Sequence, residues 1–182
     1  MTLVRTFLVL AVIVSAIGAF TDWRRGIIPP WLTLGALAIA PIAHALVGGI
    51  TRGKSAALEG LVYSLSGAAL CALVPLLLYK LGAGKGGDVK LLAALGAICR
   101  PQIGIELQFY AFIAAAIFAL GVMAYQGKLL KTLLNSLSLV VNPFLPKPRR
   151  REIAPEMMTW TRLGPSIFAG TCLAVFLNWR PS

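Results

Sequence analysis

Residues 57–79 read ALEGLVYSLSGAALCALVPLLLY, 23 residues with one carboxylate and no Lys, Arg or His. A helix of this length rises about 35 Å, enough to cross the roughly 30 Å hydrocarbon core of a bilayer. The whole chain is similar, with 58% hydrophobic residues, 13% charged residues and a mean hydropathy of +0.83. A water-soluble globule of 182 residues needs a more polar surface. The composition therefore predicts a membrane protein.

We predict an all-α, polytopic fold that forms a single membrane-embedded domain over residues 1–182. A chain that crosses a bilayer must satisfy its own backbone hydrogen bonds, and the alternating pattern of a β-barrel is missing. The apolar runs predict six spans, at residues 3–20, 31–47, 57–79, 89–99, 105–125 and 163–178.

The fourth predicted span is the shortest of the six. At 1.5 Å per residue it rises only about 16 Å, so it must extend past Arg100 or be surrounded by protein. Pro101 and Gly104 nevertheless divide residues 89–125, which are too long for one crossing. Two passes therefore fit this stretch better than one.

The basic residues set the predicted orientation. If the first span ends on the inner side, twelve Lys and Arg residues lie on inner segments and five on outer segments. The positive-inside rule then places the N-terminus outside. Residues 1–20 are expected to remain as an anchor, because the stronger positive charge follows the apolar run, whereas a cleaved signal peptide carries it in front.

The segment before the last span differs from the rest of the chain. Polar residues recur there at helical spacing between leucines, which predicts an amphipathic helix: Lys128, Lys131, Asn135, Ser138 and Asn142. We expect it to lie on anionic lipid at the inner interface, the alternative being a helix packed on the protein. The proline-rich basic stretch at 143–151 is typical of a juxtamembrane stop signal, and no nucleic-acid partner is expected.

Asp22 and Asp88 are the only aspartates, and each lies where an apolar run meets a polar or glycine-rich turn. Two predicted spans separate them, so the chain returns to the same face and both carboxylates should be cytoplasmic. Ionisable residues at membrane depth are costly and indicate function by default. The alternative is that each aspartate only caps a helix.

The turn before Asp88 is rich in glycine. Residues 82–88 read GAGKGGD, so backbone or substrate can approach closely. A phosphate-binding loop of the P-loop type is disfavoured, because that pattern requires Ser or Thr after the lysine and Gly86 follows Lys85 here.

The cysteines and the histidine do not predict a metal site. The cysteines are isolated in the sequence: Cys71, Cys99 and Cys172. His44, the only histidine, lies within the second predicted span without a nearby Cys or second His, which favours a packed or cavity-facing side chain over a zinc ligand. No metal and no other cofactor is expected.

These residues together resemble the motifs of the type IV prepilin peptidases, a family of membrane aspartic proteases. Members carry an aspartate followed six and seven residues later by Ile-Pro, and later a Gly-x-Gly-Asp turn that continues as Val-Lys-Leu. Asp22 precedes Ile28 and Pro29 at that spacing, and residues 87–96 read GDVKLLAALG. The resemblance covers about residues 21–96, and Leu-Gly-Pro at 163–165 with Ala-Gly at 169–170 resembles the family's closing helix.

Two positions depart from the family pattern. Pro30 replaces the usual Asn after Ile-Pro. Lys85 stands three residues before Asp88, where the family's Gly-x-Gly-Asp motif has its first glycine. Neither departure removes a carboxylate. The chain also lacks the cysteine tetrad and the cytoplasmic insert of larger relatives, and so it resembles the short, peptidase-only form associated with Flp-type, tight-adherence pili.

The resemblance implies that Asp22 and Asp88 are catalytic. It also implies that residues of the two turns contact the substrate: Ile28, Pro29, Gly84, Gly86, Gly87 and Lys90. Two adjacent carboxylates share one proton, so one acts as the base on a water molecule while the other polarises the scissile carbonyl. The implied substrate is a membrane-inserted prepilin, cleaved at the cytoplasmic face of the bacterial inner membrane.

A function of another class stays open at this stage, namely a non-catalytic membrane scaffold or a small transporter in a pilus or secretion assembly. A transporter is expected to show discontinuous helices or polar residues at mid-membrane, and only His44, Ser64 and Ser66 approach this pattern here. Neither the particular pilin nor the oligomeric state follows from the sequence.

Overall fold

A computed structural model of the chain describes residues 2–81, 84–125 and 162–179. The helices are α1 (Thr2–Arg25), α2 (Pro30–Arg52), α3 (Lys54–Lys80), α4 (Gly86–Tyr125) and α5 (Gly164–Asn178). The described part of the chain contains no strand, and the predicted all-α class is confirmed. The amphipathic and basic segment predicted at 126–162 lies outside the described residues except for Arg162.

The chain divides into two compact units. Residues 1–115 and 162–182 form the first. The second comprises residues 116–161, of which 116–125, the end of α4, are described. The assignment of the whole chain to one domain stays a prediction.

The first four helices are each long and apolar enough to cross a membrane, judged by length and composition within the described residues. The fifth is apolar but shorter. Exposed large hydrophobic side chains occur on every helix, as expected of surfaces that face lipid. The chain is thus a membrane protein, whereas the number of six spans and the outside N-terminus are not confirmed.

Helix α4 turns back on itself at Arg100, where the backbone is non-helical (φ 64°, ψ 174°). A Cβ atom added to Gly104 would lie 3.1 Å from the Cα atom of Gly96. Eight residues of unbroken helix would separate these two positions by about 12 Å. Helix α4 therefore consists of two limbs, 86–99 and 101–125, and the break adjoins the proline that was predicted to separate two passes.

The first limb of α4 forms the core of the larger unit. Every residue from 91 to 99 is buried, and Leu91 and Leu95 are fully buried. Fourteen helical residues rise only about 21 Å, too little to cross a bilayer in contact with lipid on both sides. The limb is instead enclosed by protein, which explains why the fourth predicted span is so short.

The other helices pack in antiparallel pairs around this limb. Helices α2 and α3 form a hairpin, and Gly53 joins them with a left-handed backbone (φ 91°) that favours glycine. Helix α1 packs along α5, and the Arg5 guanidinium lies 5.5 Å from the centre of the Trp179 ring at one end of that pair. The other end of the pair lies at Asp22.

Two polar side chains bind the carbonyls at the end of the first limb. The Ser64 hydroxyl donates to the carbonyl oxygen of Ala97 (2.7 Å), and His44 Nε2 lies 2.9 Å from that of Ile98. These carbonyls need outside partners because the helix stops at Arg100. His44 is 3% exposed, and its ring stacks on the ring of Phe7. The side chain is therefore packed in the interior, as predicted.

We expect the substitution His44→Phe to destabilise the protein by about 1–3 kcal/mol, because it leaves a buried carbonyl of Ile98 without its donor. His44→Gln keeps an N–H donor and should lose less. Thermal unfolding of the purified variants in detergent measures the difference. Equal melting temperatures for His44→Phe and the unaltered protein would contradict the role of His44 as the partner of the Ile98 carbonyl group.

Candidate active site

Asp22 lies in the last turn of α1. The N–H of Gly26 donates to the carbonyl oxygen of Asp22 (2.9 Å), and Gly26 adopts a left-handed backbone (φ 67°), so the helix ends within one turn of the carboxylate. Pro29 then takes an extended conformation (φ −62°, ψ 129°), as expected before a proline. Pro30 is the first residue of α2, where a missing N–H costs no hydrogen bond. The family departure at this position is therefore compatible with the helix start.

Asp88 lies in the first turn of α4. Its Oδ2 atom accepts the backbone N–H of Lys85 (3.4 Å), while the N–H of Asp88 donates to the carbonyl oxygen of Lys85 (3.1 Å). The first of these bonds is one half of a capping box, in which a side chain of the first turn accepts the N–H of the residue before the helix. Asp88 thus does cap a helix, but the cap uses only part of the hydrogen-bonding capacity of a carboxylate, which has two oxygens.

A close contact between α1 and α4 brings the two aspartates together. A Cβ atom added to Gly18 would lie 3.1 Å from a methyl carbon of Leu91. Gly18 lies one turn before Asp22, and Leu91 lies one turn after Asp88. The absence of a side chain at Gly18 therefore allows the helix ends that carry both carboxylates to approach each other.

Both carboxylates border one cavity of about 330 Å³. Asp22 is 2% exposed and Asp88 is 4% exposed, so this cavity is where reagents can reach them. The lining combines the two turns predicted from sequence: Asp22, Gly26, Ile27, Ile28, Pro30, Lys85, Gly86, Gly87, Asp88 and Lys90. The structure thus brings together two segments that are sixty-six positions apart in the chain.

Four of the six predicted substrate-contacting residues line the cavity: Ile28, Gly86, Gly87 and Lys90. The other two, Pro29 and Gly84, are not among its lining residues. Ile28 also joins the turns, since a Cβ atom added to Gly87 would lie 3.4 Å from the Ile28 Cβ atom. Two lysines, Lys85 and Lys90, also line the cavity and place positive charge at its wall.

One contact of Asp22 was not predicted from the sequence. Its Oδ2 atom accepts the backbone N–H of Gly164 at 3.0 Å, and Gly164 is the first residue of α5. The partners are 142 positions apart, and no local pattern indicates that the start of α5 meets the end of α1. The Leu-Gly-Pro sequence at 163–165, which resembles the family's closing helix, was the available signal, but it does not indicate which helix end this segment contacts.

The fold and the site define a helical membrane protein with two buried carboxylates on one cavity, each held at a helix end. Among known families, the profile of the type IV leader peptidase family matches residues 8–120, more than half of the chain and including both aspartates. The chain belongs to this family, and the family predicted from the motifs is confirmed. Comparison with curated proteins and with solved structures gives no match.

Proposed function

We propose that the chain is an aspartic endopeptidase that removes the leader peptide from Flp-like prepilins at the cytoplasmic face of the bacterial inner membrane. The observation that supports this most strongly is the convergence of Asp22 and Asp88 on one cavity. Membership of the type IV leader peptidase family provides the substrate class. The pairing of two carboxylates provides the chemistry, because aspartic proteases use such a pair.

The proposed reaction requires one ionised and one protonated carboxyl group. The ionised group removes a proton from a water molecule while the water oxygen attacks the carbonyl carbon of the scissile peptide bond. The protonated group donates its proton to the carbonyl oxygen. The tetrahedral intermediate then collapses: one of its hydroxyl groups gives a proton to the ionised carboxylate, the C–N bond breaks, and the amine leaves with the proton of the other carboxyl group, so the pair again holds one proton.

Surface residues near the cavity support a position at the membrane–water boundary. Trp23 follows Asp22 directly and Trp31 follows Pro30 directly, and these side chains are 59% and 70% exposed. Tyr79, near the end of α3 and before the second turn, is also exposed. Aromatic residues of this kind concentrate at membrane interfaces. Arg24 and Arg25 lie in the last turn of α1, and Lys80 lies in the last turn of α3. The positive-inside rule therefore favours a cytoplasmic position for these helix ends and the cavity beside them. The contact with anionic lipid stays a prediction.

The mid-membrane polar residues offer little to a transporter. The Ser64 hydroxyl and the His44 ring bind carbonyls of the first limb of α4, and the Ser66 hydroxyl binds the carbonyl of Tyr63 within its own helix. Each of the three side chains has a backbone partner within the protein. The transporter alternative thus loses the residues on which it depended.

Processing of an Flp-type prepilin by the purified protein in detergent tests the proposal. We expect a shortened product whose new N-terminus, read by N-terminal sequencing, follows the terminal glycine of the leader. A precursor with that glycine replaced serves as the uncleaved control. An intact Flp-type precursor together with cleavage of a different class of prepilin would refute the Flp assignment, and an intact precursor in every case would refute the peptidase activity.

A further inference from the structure

We propose that Gly164, assisted by Arg162, is a positioning residue for Asp22, so that the start of α5 belongs to the catalytic apparatus although Gly164 does not line the cavity. The inference rests on the proposed function. It concerns how the first carboxylate is held in place, which neither the motifs nor the family match addresses.

The first observation is the hydrogen bond between the Gly164 N–H and Asp22 Oδ2 (3.0 Å). Both residues are buried, which shields this hydrogen bond from bulk water. The first N–H groups of a helix have no partner within it, and a carboxylate is a favourable acceptor there. Rotation of the Asp22 side chain would break this bond, which therefore holds the carboxylate in one orientation.

The second observation is steric. A Cβ atom added to Gly164 would lie 2.7 Å from the Asp22 Cβ atom and 2.8 Å from Oδ2. Both distances are shorter than ordinary carbon–carbon and carbon–oxygen contacts. Any larger residue at this position must therefore displace either the Asp22 side chain or the start of α5. Glycine is required here by space, and its removal acts directly on a proposed catalytic atom.

The third observation links the same segment to the backbone beside Asp22. A guanidinium nitrogen of Arg162, Nη1, donates to the carbonyl oxygen of Trp23. Trp23 lies in the last turn of α1, where carbonyls have no helical partner and a cation is favoured. Arg162 and Gly164 thus hold α1 at two adjacent residues, one through the main chain and one through the carboxylate.

These contacts matter for the chemistry because the two carboxyl groups must lie at a defined separation to share a proton and a water molecule. Asp88 is held by its own helix start, through the Lys85 N–H. Asp22 lies at the end of a different helix and depends on α5. A displacement of about 1 Å at a reacting group is enough to lower a rate by about 10²-fold.

The experiment is steady-state kinetics of precursor processing by the full-length protein in detergent. We expect Gly164→Ala to lower kcat by about 10–10²-fold and to leave KM within about twofold, because Gly164 touches Asp22 and not the cavity. Arg162→Met should lower kcat by about tenfold, and Arg162→Lys should restore part of it by keeping the charge.

Gly48→Ala is the matched control. Its added Cβ atom would lie 2.2 Å from the carbonyl oxygen of Ala56, in the α2–α3 hairpin, so it also crowds a helix contact. It should lower the melting temperature but keep the kcat of the folded fraction. Equal kcat values for Gly164→Ala and Gly48→Ala would overturn the inference. If Gly164→Ala does not fold, unchanged kcat for Arg162→Met would overturn it instead. Unaltered protein that fails to process, or an Asp22→Asn variant that processes normally, would instead refute the proposed function.

Discussion

Asp22→Asn and Asp88→Asn are each expected to lower the rate of prepilin processing by about 10²–10⁴-fold. Asparagine keeps the shape of the side chain but can neither accept a proton from water nor share one with the partner carboxylate. Because the two groups act as a unit, the double variant should be scarcely slower than either single variant. Co-expression with the precursor, followed by quantitative separation of the two pilin forms, measures these rates.

Glu59→Gln is the control for loss of a carboxylate elsewhere. Glu59 is exposed and lies near the start of α3, whereas the cavity adjoins the turn that follows the end of this helix. Processing by this variant should match that of the unaltered protein. The two-aspartate mechanism is wrong if Asp22→Asn or Asp88→Asn, present in the membrane at normal amounts, processes the precursor at the normal rate.

Gly67→Ala is expected to lower the stability of the protein by about 3 kcal/mol or more. An added Cβ atom would lie 2.2 Å from the carbonyl oxygen of Gly96 and 2.9 Å from the carbonyl carbon of Arg100. These are backbone atoms, so no side chain can rotate away, and overpacking of this kind usually costs about 1–3 kcal/mol even where neighbours relax. The melting temperature in detergent measures the effect.

Gly35→Ala is the matched substitution for this test. It also lies within a helix, α2, but its added Cβ atom meets nothing within 4 Å. We expect it to melt at or slightly above the temperature of the unaltered protein, because alanine favours helix. A Gly67→Ala variant that melts together with Gly35→Ala would show that the crossing of α3 with the two limbs of α4 is looser than the structure indicates.

The motifs on either side of the cavity could be recognised from the sequence because each is local. The spacing from Asp22 to Ile28 and Pro29 lies within one helix end and one turn, and the glycines before Asp88 lie within a single turn. Counting the spans between the aspartates predicted that both lie on one face, and the structure places both on one cavity. That count needed only whole helices and not their packing.

The path of the chain between residues 86 and 125 was harder to predict. Pro101 correctly indicated a break, but hydropathy cannot distinguish a short lipid-facing span from a short buried helix, since both consist of apolar residues. The enclosure of residues 91–99 depends on contacts with other helices. The same holds for His44, whose partner at Ile98 lies 54 positions away.

The sequence by itself determined that this protein is helical, lies in a membrane and carries a pair of aspartates in leader-peptidase motifs, because hydropathy, charge and motif spacing are properties of short segments. Only the tertiary structure decided that α4 folds back as two limbs, that Gly18 lets α1 approach Leu91, and that the start of α5 holds Asp22. These features arise from close contacts between distant segments, and glycines at such contacts look in sequence like any other small residues of an apolar helix.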